Sequence, residues 1–454
     1  MAVSNFKVII IGGGPVGLVA AHVLYKAGID FVVLERRENV ILDLGAALVL
    51  APQNMRVMHQ LGLYDKLMEI GQELLDTKGF LLNGYQFKTG TELQLLKQKY
   101  VTRVSISANR TNLHSHGVGL VAFHRAQLVQ VLYDNLPEDA KSKYFLDKRV
   151  TAIDASGDAS GEGVQVLCYD RSVYKGSIVL GADGVHSVTR KWMRDMALSQ
   201  RPHRDWDPEE PFTSVYKCLW ASFPRPSDPG ANFETTSKDQ SAMYITGRDR
   251  GWILLYDKSE PTTALRSYSE KEVEEVAAKL AELPVNETLK VKDVVKERFT
   301  WGMSDLGEGI LKHWSHGRIV LAGDACHKFT PNAGLGLNNG IQDIVVLCNG
   351  LHQAIADGKT DTASLVKVFE KYQSDRAEAV EKDYKQSALV TRLQTWASGL
   401  YYFLSRFVLS NSFVARFVAR FVTSPHIRKA RVLDFVRTTE LPLGNVGWQY
   451  AIPQ

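Results

Sequence analysis

"KVIIIGGGPVGLVAAHVLYKAGIDFVVLER", residues 7–36, decides the fold. KVIII is an apolar, β-branched run, the pattern of a strand buried in a parallel sheet. Glycines end it. PVGLVAAHVLYKAG then places apolar residues at helical spacing and stops at Gly28, and FVVLER is a second buried strand. Gly12-x-Gly14-x-x-Gly17 lies at the strand–helix turn, and Glu35 closes the second strand. Gly12 permits the tight turn, Gly14 lets a diphosphate approach the backbone, and Gly17 lets helix and strand pack closely. The helix N-terminus offers unpaired N–H groups and partial positive charge to the diphosphate. Glu35 is placed to accept hydrogen bonds from an adenosine ribose. The unit predicts a dinucleotide site, for NAD(P) or FAD. A glycine turn without a nucleotide is the plain alternative.

A distant stretch separates the two cofactors. GDACHKFTPNAGLGLNNGIQD, residues 323–343, follows another buried-strand pattern, GRIVLA. A nicotinamide dehydrogenase needs only the first unit, whereas FAD needs a second segment to hold its ribityl chain and ring. Asp324 ends the strand, where its carboxylate reaches ribityl hydroxyls. Pro331 shapes the loop, and Gly334 and Gly336 let backbone lie against the ring. The helix expected to start near Leu337 aims its N-terminus at the flavin N1–C2=O, where negative charge gathers on reduction. His327, beside this loop, is either a base or a loop histidine bonded to backbone.

The third stretch is VLGADGVHSVTR, residues 179–190, with Asp183 and Gly184 after a buried strand. The glycine fingerprint, this central D-G and the late G-D, in that order, resemble the FAD-dependent aromatic-hydroxylase type of monooxygenase. That is group A, with the p-hydroxybenzoate hydroxylase fold. The likeness runs from residue 5 to about residue 380. GAALVLAPQNMRVMHQLGL within it and the tail VLDFVRTTELPLGNVGW beyond it resemble fungal specialised-metabolism members acting on indole alkaloids or terpenoids. The resemblance implies non-covalent FAD, with NAD(P)H as a transient co-substrate and no second nucleotide-binding domain. It places Arg125, in HRAQLVQVL, by the cofactor diphosphate and counts Ala47 with the cofactor-binding positions. W-x-W-x-I-P and a C-x-x-x-x-C near the first helix are both missing, which disfavours a flavin halogenase and a disulfide reductase.

The implied reaction passes one oxygen atom of O2 to an electron-rich carbon of a large hydrophobic substrate. The favoured target is the indole 2,3-bond of a prenylated indole alkaloid, with rearrangement such as spirocyclisation to follow. Epoxidation of a terpenoid or meroterpenoid olefin comes next, and a flavin reductase or oxidase on the same fold is the other reading. Asp43, in the apolar run VILDLGAAL, and Arg190, at the end of the D-G stretch, are the candidate catalytic residues. Arg190 would donate to an epoxide or alkoxide oxygen. Against this, Arg190 only organises the cofactor and Asp43 is a solvated loop acid.

Composition sets the frame. The chain has 454 residues, 45% hydrophobic and 23% charged, with a net charge of +4 and no basic block interleaved with aromatics, so nucleic acid is not an expected partner. Cys168, Cys218, Cys326 and Cys348 are scattered, which fits a reducing compartment and a cytoplasmic location. The histidine pairs His114/His116 and His313/His316 lack a metal-binding context, so no metal is expected. No apolar run spans a membrane, and the N-terminus does not read as a signal peptide.

The fold class predicted is α/β (α+β overall), a Rossmann-type FAD-binding domain with an inserted antiparallel-sheet substrate domain and C-terminal helices. The expected boundaries are 1–195 for the FAD domain with β insertions at 79–107, and 196–300 for the substrate sheet. The FAD domain returns over 301–385, and helices occupy 386–454. KRVTAIDASGDASGEGVQVLCYD reads as a hairpin with a polar tip, and Ser269 with Glu272 as a capping box. In the substrate sheet, period-two spacing turns Tyr216 and Trp220 to one face; with Tyr244, Trp252 and Tyr256 they line an apolar pocket or simply pack the sheet. LQTWASGLYYFLSRFVLSNSFVARFVARFVTS, with Arg406, Arg416 and Arg420, reads as an amphipathic helix pair packed on the body, or as a peripheral membrane contact.

Overall fold

A computed structural model describes residues 6–43, 45–89, 117–155, 163–264, 266–442, 444 and 446–454. The His114/His116 pair, the 90–107 part of the β insertion and the hairpin tip at 156–162 lie outside the described residues.

The KVIII and DFVVL segments are strands, Lys7–Ile11 and Asp30–Leu34, joined by the helix Pro15–Lys26. They sit inside a six-stranded sheet ordered Ser315–His316, Ile319–Leu321, Ile178–Gly181, Lys7–Ile11, Asp30–Leu34, Tyr144–Phe145. Every pairing is parallel except that of the hairpin strand Ser315–His316. Val8, Ile9, Ile178, Val179, Ile319 and Val320 are wholly buried, which is why these strands read as unbroken apolar runs. All three glycine turns follow strands of this one sheet, at neighbouring positions. The topology therefore gathers the predicted site at the carboxyl ends of its strands.

A second sheet has eight strands. Thr213–Pro224, Arg250–Thr262, Gln240–Thr246 and Ala231–Ser237 form its centre, antiparallel throughout. Two features move the expected boundaries. Thr300–Ile310 pairs with Thr213–Pro224, so this sheet extends past residue 300. Asp76–Phe80 and Gln86–Thr89, from the amino-terminal part of the chain, complete its far edge. One face carries Leu219, Phe223, Tyr244 and Ile253 against the helices Glu270–Lys279 and Val291–Lys296. The Ser269–Glu272 capping box starts the first of these. The other face carries Tyr216, Cys218, Trp252, Leu254 and Tyr256 against Ala46, Ala47 and Val49 of the first domain. Tyr216 and Trp220 do share a face, as period two requires, and Tyr244 takes the opposite one.

The last long elements are the helices Leu335–Ala356 and Thr362–Gln394, which pack on each other and on the glycine turn at 323. The first begins two residues before Leu337. A buried ionic cluster anchors them. The carboxylate of Asp343 accepts from Arg376 Nε at 2.9 Å and from Gly323 N at 2.9 Å, and lies 2.7 Å from His327 Nε2. Asp343 and His327 are wholly buried. His327 does not line a cavity and instead braces the G-D turn. The tail is tied back to the helix Pro52–Gln60 by Arg56 on Glu440 and by Gln60 Nε2 on the carbonyls of Leu433 and Val436.

Burial alone would raise the pKa of Asp343, but the facing His327 and Arg376 overrule it and hold it at about 2. A carboxyl depressed on folding adds stability that is present above the ordinary carboxylate range and is lost as pH falls through about 2. Asp343→Asn is expected to cost ~3–5 kcal/mol at neutral pH, because it leaves the Arg376 charge buried and unpaired. It should also flatten the acid loss of stability below about pH 4. Urea unfolding at several pH values checks both; wild-type stability and slope in the variant would contradict the cluster's role.

Candidate active site

The first glycine turn is built by exclusion. Gly12 has φ +103°, and a Cβ there would meet the Ala182 carbonyl oxygen at 2.5 Å. A Cβ on Gly17 would stand 1.9 Å from the Gly12 carbonyl oxygen. At Gly14 the same atom meets nothing within 4 Å, so this glycine faces open space. Gly14 starts the helix Pro15–Lys26, whose first turn has no capping side chain and no acid, and Pro15 fits the N-terminus because it needs no hydrogen-bond acceptor. The N–H groups and positive end of the helix are left for a ligand anion. Glu35 is buried and ties the turn to its strand, accepting from Gly13 N at 2.8 Å and Arg37 N at 2.9 Å. Tyr144 Oη donates to the Gly13 carbonyl at 2.9 Å. Tyr144 stands far from the motif in sequence, and nothing in the local pattern signals it.

The other two turns close on the first. Asp183 accepts from Ser187 Oγ at 2.6 Å and from Thr189 N and Oγ1 at 3.0 Å, and burial raises its pKa against these bonds. It shapes the D-G turn, where Gly184 has φ +77°. Gly334, φ +63°, caps the helix Leu335–Ala356, again with no acid in the first turn. Asn338 binds that turn to the strand Ala47–Leu50, donating to Val49 O at 2.8 Å and Gly334 O at 2.6 Å and accepting from Ala51 N at 2.8 Å. A polar residue on the buried side of an otherwise apolar helix start was the available signal for Asn338.

These turns surround a cavity of about 1840 Å³. Ordinary ligand pockets hold ~300–1,000 Å³, so a dinucleotide and a second large molecule fit together. Of the predicted cofactor positions, Gly12, Gly14, Glu35, Ala47, Arg125, Asp183, Asp324, Pro331, Gly334, Gly336 and Leu337 line it. Gly17 lies behind the turn, packed on Gly12. Arg125 is half-buried, burial lowers its pKa, and no group among the described residues accepts from its guanidinium. Asp324 likewise has no hydrogen-bond donor among the described residues. A cation with no hydrogen-bond acceptor in the same lining as Gly14, and an acid with no donor beside Gly336, match a diphosphate and a polyol chain. The residues present fit FAD.

The two expected catalytic residues are placed elsewhere. Arg190 is buried outside the cavity lining. Its guanidinium donates to Val185 O at 2.9 Å and Ala325 O at 3.2 Å and stacks over Phe212 at 5.1 Å, so it clamps the D-G turn to the G-D turn. The reason is local: Arg190 lies in the first turn of the helix Val188–Gln200 and points back over the loop that precedes it. Asp43 also lies outside the lining. Arg250 holds it in a two-pronged pair at 3.1 and 2.9 Å, and His124 Nε2 is 2.9 Å away. Tyr216 is bonded to Thr395 at 2.9 Å, and neither it nor Trp220, Tyr244, Trp252 or Tyr256 lines the main cavity.

The profile of the family described as FAD binding domain matches residues 5–387. The chain belongs to the FAD-dependent monooxygenases. FAD is its cofactor, and NAD(P)H is the co-substrate typical of that family. The chain is 30% identical over 425 residues to the FAD-dependent monooxygenase dpchE of Colletotrichum higginsianum, covering 90% of this chain and 85% of that one. It is also 30% identical over 402 residues to ausM of Penicillium brasilianum, covering 86% and 80%. It is thus similar to the fungal specialised-metabolism type. In fold it is similar to Klebsiella pneumoniae HpxO solved with FAD and uric acid, at TM-score 0.67 and 20% identity, covering 92% of this chain and 96% of that one.

The glycines give a separable test. Gly14→Ala is expected to leave the apoprotein's melting temperature unchanged and to weaken FAD retention by about tenfold or more, since the new methyl occupies the diphosphate approach. Gly17→Ala is expected to cost ~1–3 kcal/mol through overpacking, or to prevent folding. Flavin titration beside thermal melting reads both. Equal flavin affinity in Gly14→Ala and wild type would place the diphosphate elsewhere.

Proposed function

We propose that the enzyme epoxidises, or hydroxylates through the epoxide, an electron-rich carbon–carbon double bond in a large apolar natural product. The carrying observation is the part of the cavity beyond the cofactor turns. Its walls are Phe233, Met243, Ile245, Leu254, Leu389 and Leu393, from the antiparallel sheet and the helix Thr362–Gln394. When bound, FAD accepts two electrons from NAD(P)H and lets O2 deliver one oxygen atom to the substrate, the other leaving as water.

The chain's own residues bind, orient and exclude water. Arg125 and the N-terminus at Gly14 hold the diphosphate, Glu35 the ribose and Asp324 the ribityl chain. The segment Pro331–Leu337 is the floor for the ring. Asn332, on that floor, donates to Gln394 Oε1 at 2.5 Å; Gln394 donates to Glu234 Oε2 at 2.7 Å; Glu234 pairs with Lys88 at 3.3 Å. This chain of polar groups crosses the cavity wall from the ring floor to the substrate sheet. It gives an apolar chamber one polar end, against which an oxygenated head of the substrate orients.

The substrate reading departs from the indole preference. The walls are mostly aliphatic, which suits a flexible polyprenyl chain better than a flat heteroaromatic ring. Glu234, the carboxylate in this wall that would accept from an indole N–H, is already engaged by Gln394 and Lys88. A terpenoid or meroterpenoid olefin is therefore the favoured substrate. Incubation with NADPH and ¹⁸O2 across terpenoid olefins and prenylated indoles tests this. One labelled oxygen per NADPH consumed is expected in an epoxide from a terpenoid olefin. Label in indole products alone would overturn the substrate class, and flavin turnover with no label in any product would leave a reductase or oxidase.

A further inference from the structure

The segment 399–427 folds as short helices, Gly399–Phe403, Ser412–Val418 and Ser424–Ile427, joined by wider π-type turns at Leu404–Val408 and Ala419–Thr423. None of the described helices is long and apolar enough to cross a membrane. One side of the segment walls the cavity, through Ser405, Leu409, Val418 and Val422. The other side carries Leu400, Phe403, Phe407, Phe413, Phe417 and Phe421, all exposed, Phe413 by 70%. Within each half, 400–407 and 413–421, the spacing is three or four residues, so those residues share a face, and the rings agree: Phe403 and Phe407 stand 5.6 Å apart, Phe417 and Phe421 4.8 Å. Six large apolar side chains presented together are far from the scattered exposure normal on a protein surface.

The charge around them is one-sided. Between Tyr384 and Leu433 the chain has eight Lys or Arg and no Asp or Glu, although the whole protein nearly balances at 54 against 50. Among them, Lys385 pairs with Glu381, Arg392 pairs with Glu308, Arg406 stacks over Tyr85 and Phe87, and Arg431 stacks over Tyr450. Arg428 and Lys429 are exposed at the end of the segment. Aromatic and aliphatic residues facing out, interleaved with cations and free of acids, are what an in-plane interfacial helix needs to enter the headgroup layer of an anionic bilayer.

We propose that this segment docks on an anionic lipid surface, with its phenylalanines in the headgroup–acyl boundary, so that the outer wall of the cavity faces the membrane. Apolar substrate then reaches the cavity from lipid rather than from water. The docking stands on geometry and charge alone; only the passage of substrate rests on the proposed function. A spanning helix is not required, and the affinity comes from buried ring area plus attraction to anionic headgroups.

Flotation of the FAD-loaded enzyme with vesicles of phosphatidylcholine alone, or with about a third phosphatidylserine, tests the docking. Binding is expected to the mixed vesicles, weaker to the neutral ones and reduced at high salt. The combined variant Phe413→Ser, Phe417→Ser, Phe421→Ser should bind at least ~10-fold more weakly. Its flavin absorbance and melting temperature should match wild type, which separates lost docking from lost folding. Arg428→Glu with Lys429→Glu should lose mainly the phosphatidylserine preference. Wild-type enzyme that fails to float, or phenylalanine variants that float as well as wild type, would overturn the proposal. So would a self-association of the wild type that the triple variant abolishes, which would make the face an interface between copies. Vesicle binding needs no turnover, so an enzyme that docks but transfers no oxygen would sink the functional reading and leave the docking intact.

Discussion

The site depends on three backbone turns approaching one another more closely than side chains allow. Gly12 leans on Ala182 and Asp183, so the first turn and the D-G turn touch at backbone distance. Gly323 stands against Gly340 and Val16, which brings the G-D turn onto the first helix. Polar bonds then lock the approach: Asp183 within its own turn, Arg190 between the second and third turns, Asp343 between the third turn and the two long helices. Buried polar groups of this kind are costly unless paired, so these bonds favour this one approach of the turns over others. Two helix N-termini, at Gly14 and Gly334, are left uncapped by side chains inside the cavity. That open pair of positive ends is what the rest of the molecule supports.

Much of this was legible from the sequence where chemistry is local. Buried parallel strands, glycines with positive φ and the acid closing the second strand each have a pattern that backbone sterics impose over a few residues. The family and the cofactor followed from three such patterns in order. The direction of a side chain after a turn has no local pattern. Arg190 was read toward the reaction and points instead at two carbonyls, because the loop it folds over supplies acceptors that only the fold brings near. Asp43 was read either as a candidate at the oxygen-transfer site or as a solvated loop acid, yet Arg250, some two hundred residues on, claims it. The sheet boundary failed for the same reason: Thr300–Ile310 carries glycines and acids that weaken its strand signal, and pairing with Thr213–Pro224 decides it. Tyr144 and the Asn332–Gln394–Glu234 chain are long-range pairings that no sequence spacing announces.

The division of labour in the cavity follows from wall chemistry. Turns and helix ends, rich in N–H groups, form the part of the cavity suited to the charged and polar length of the cofactor. The sheet and the helix Thr362–Gln394 supply aliphatic walls where a substrate must be kept from water. The short helices after residue 399 close the chamber with one side and expose phenylalanines with the other.

A crystal structure of the enzyme with FAD bound tests the central claim most directly. The account predicts the diphosphate between Gly14 and Arg125, the ribityl chain against Asp324 and the ring along Pro331–Leu337, its N1–C2=O edge toward the helix that begins at Leu335. A ring bound away from that segment, or a diphosphate that leaves Arg125 without contact, would contradict it.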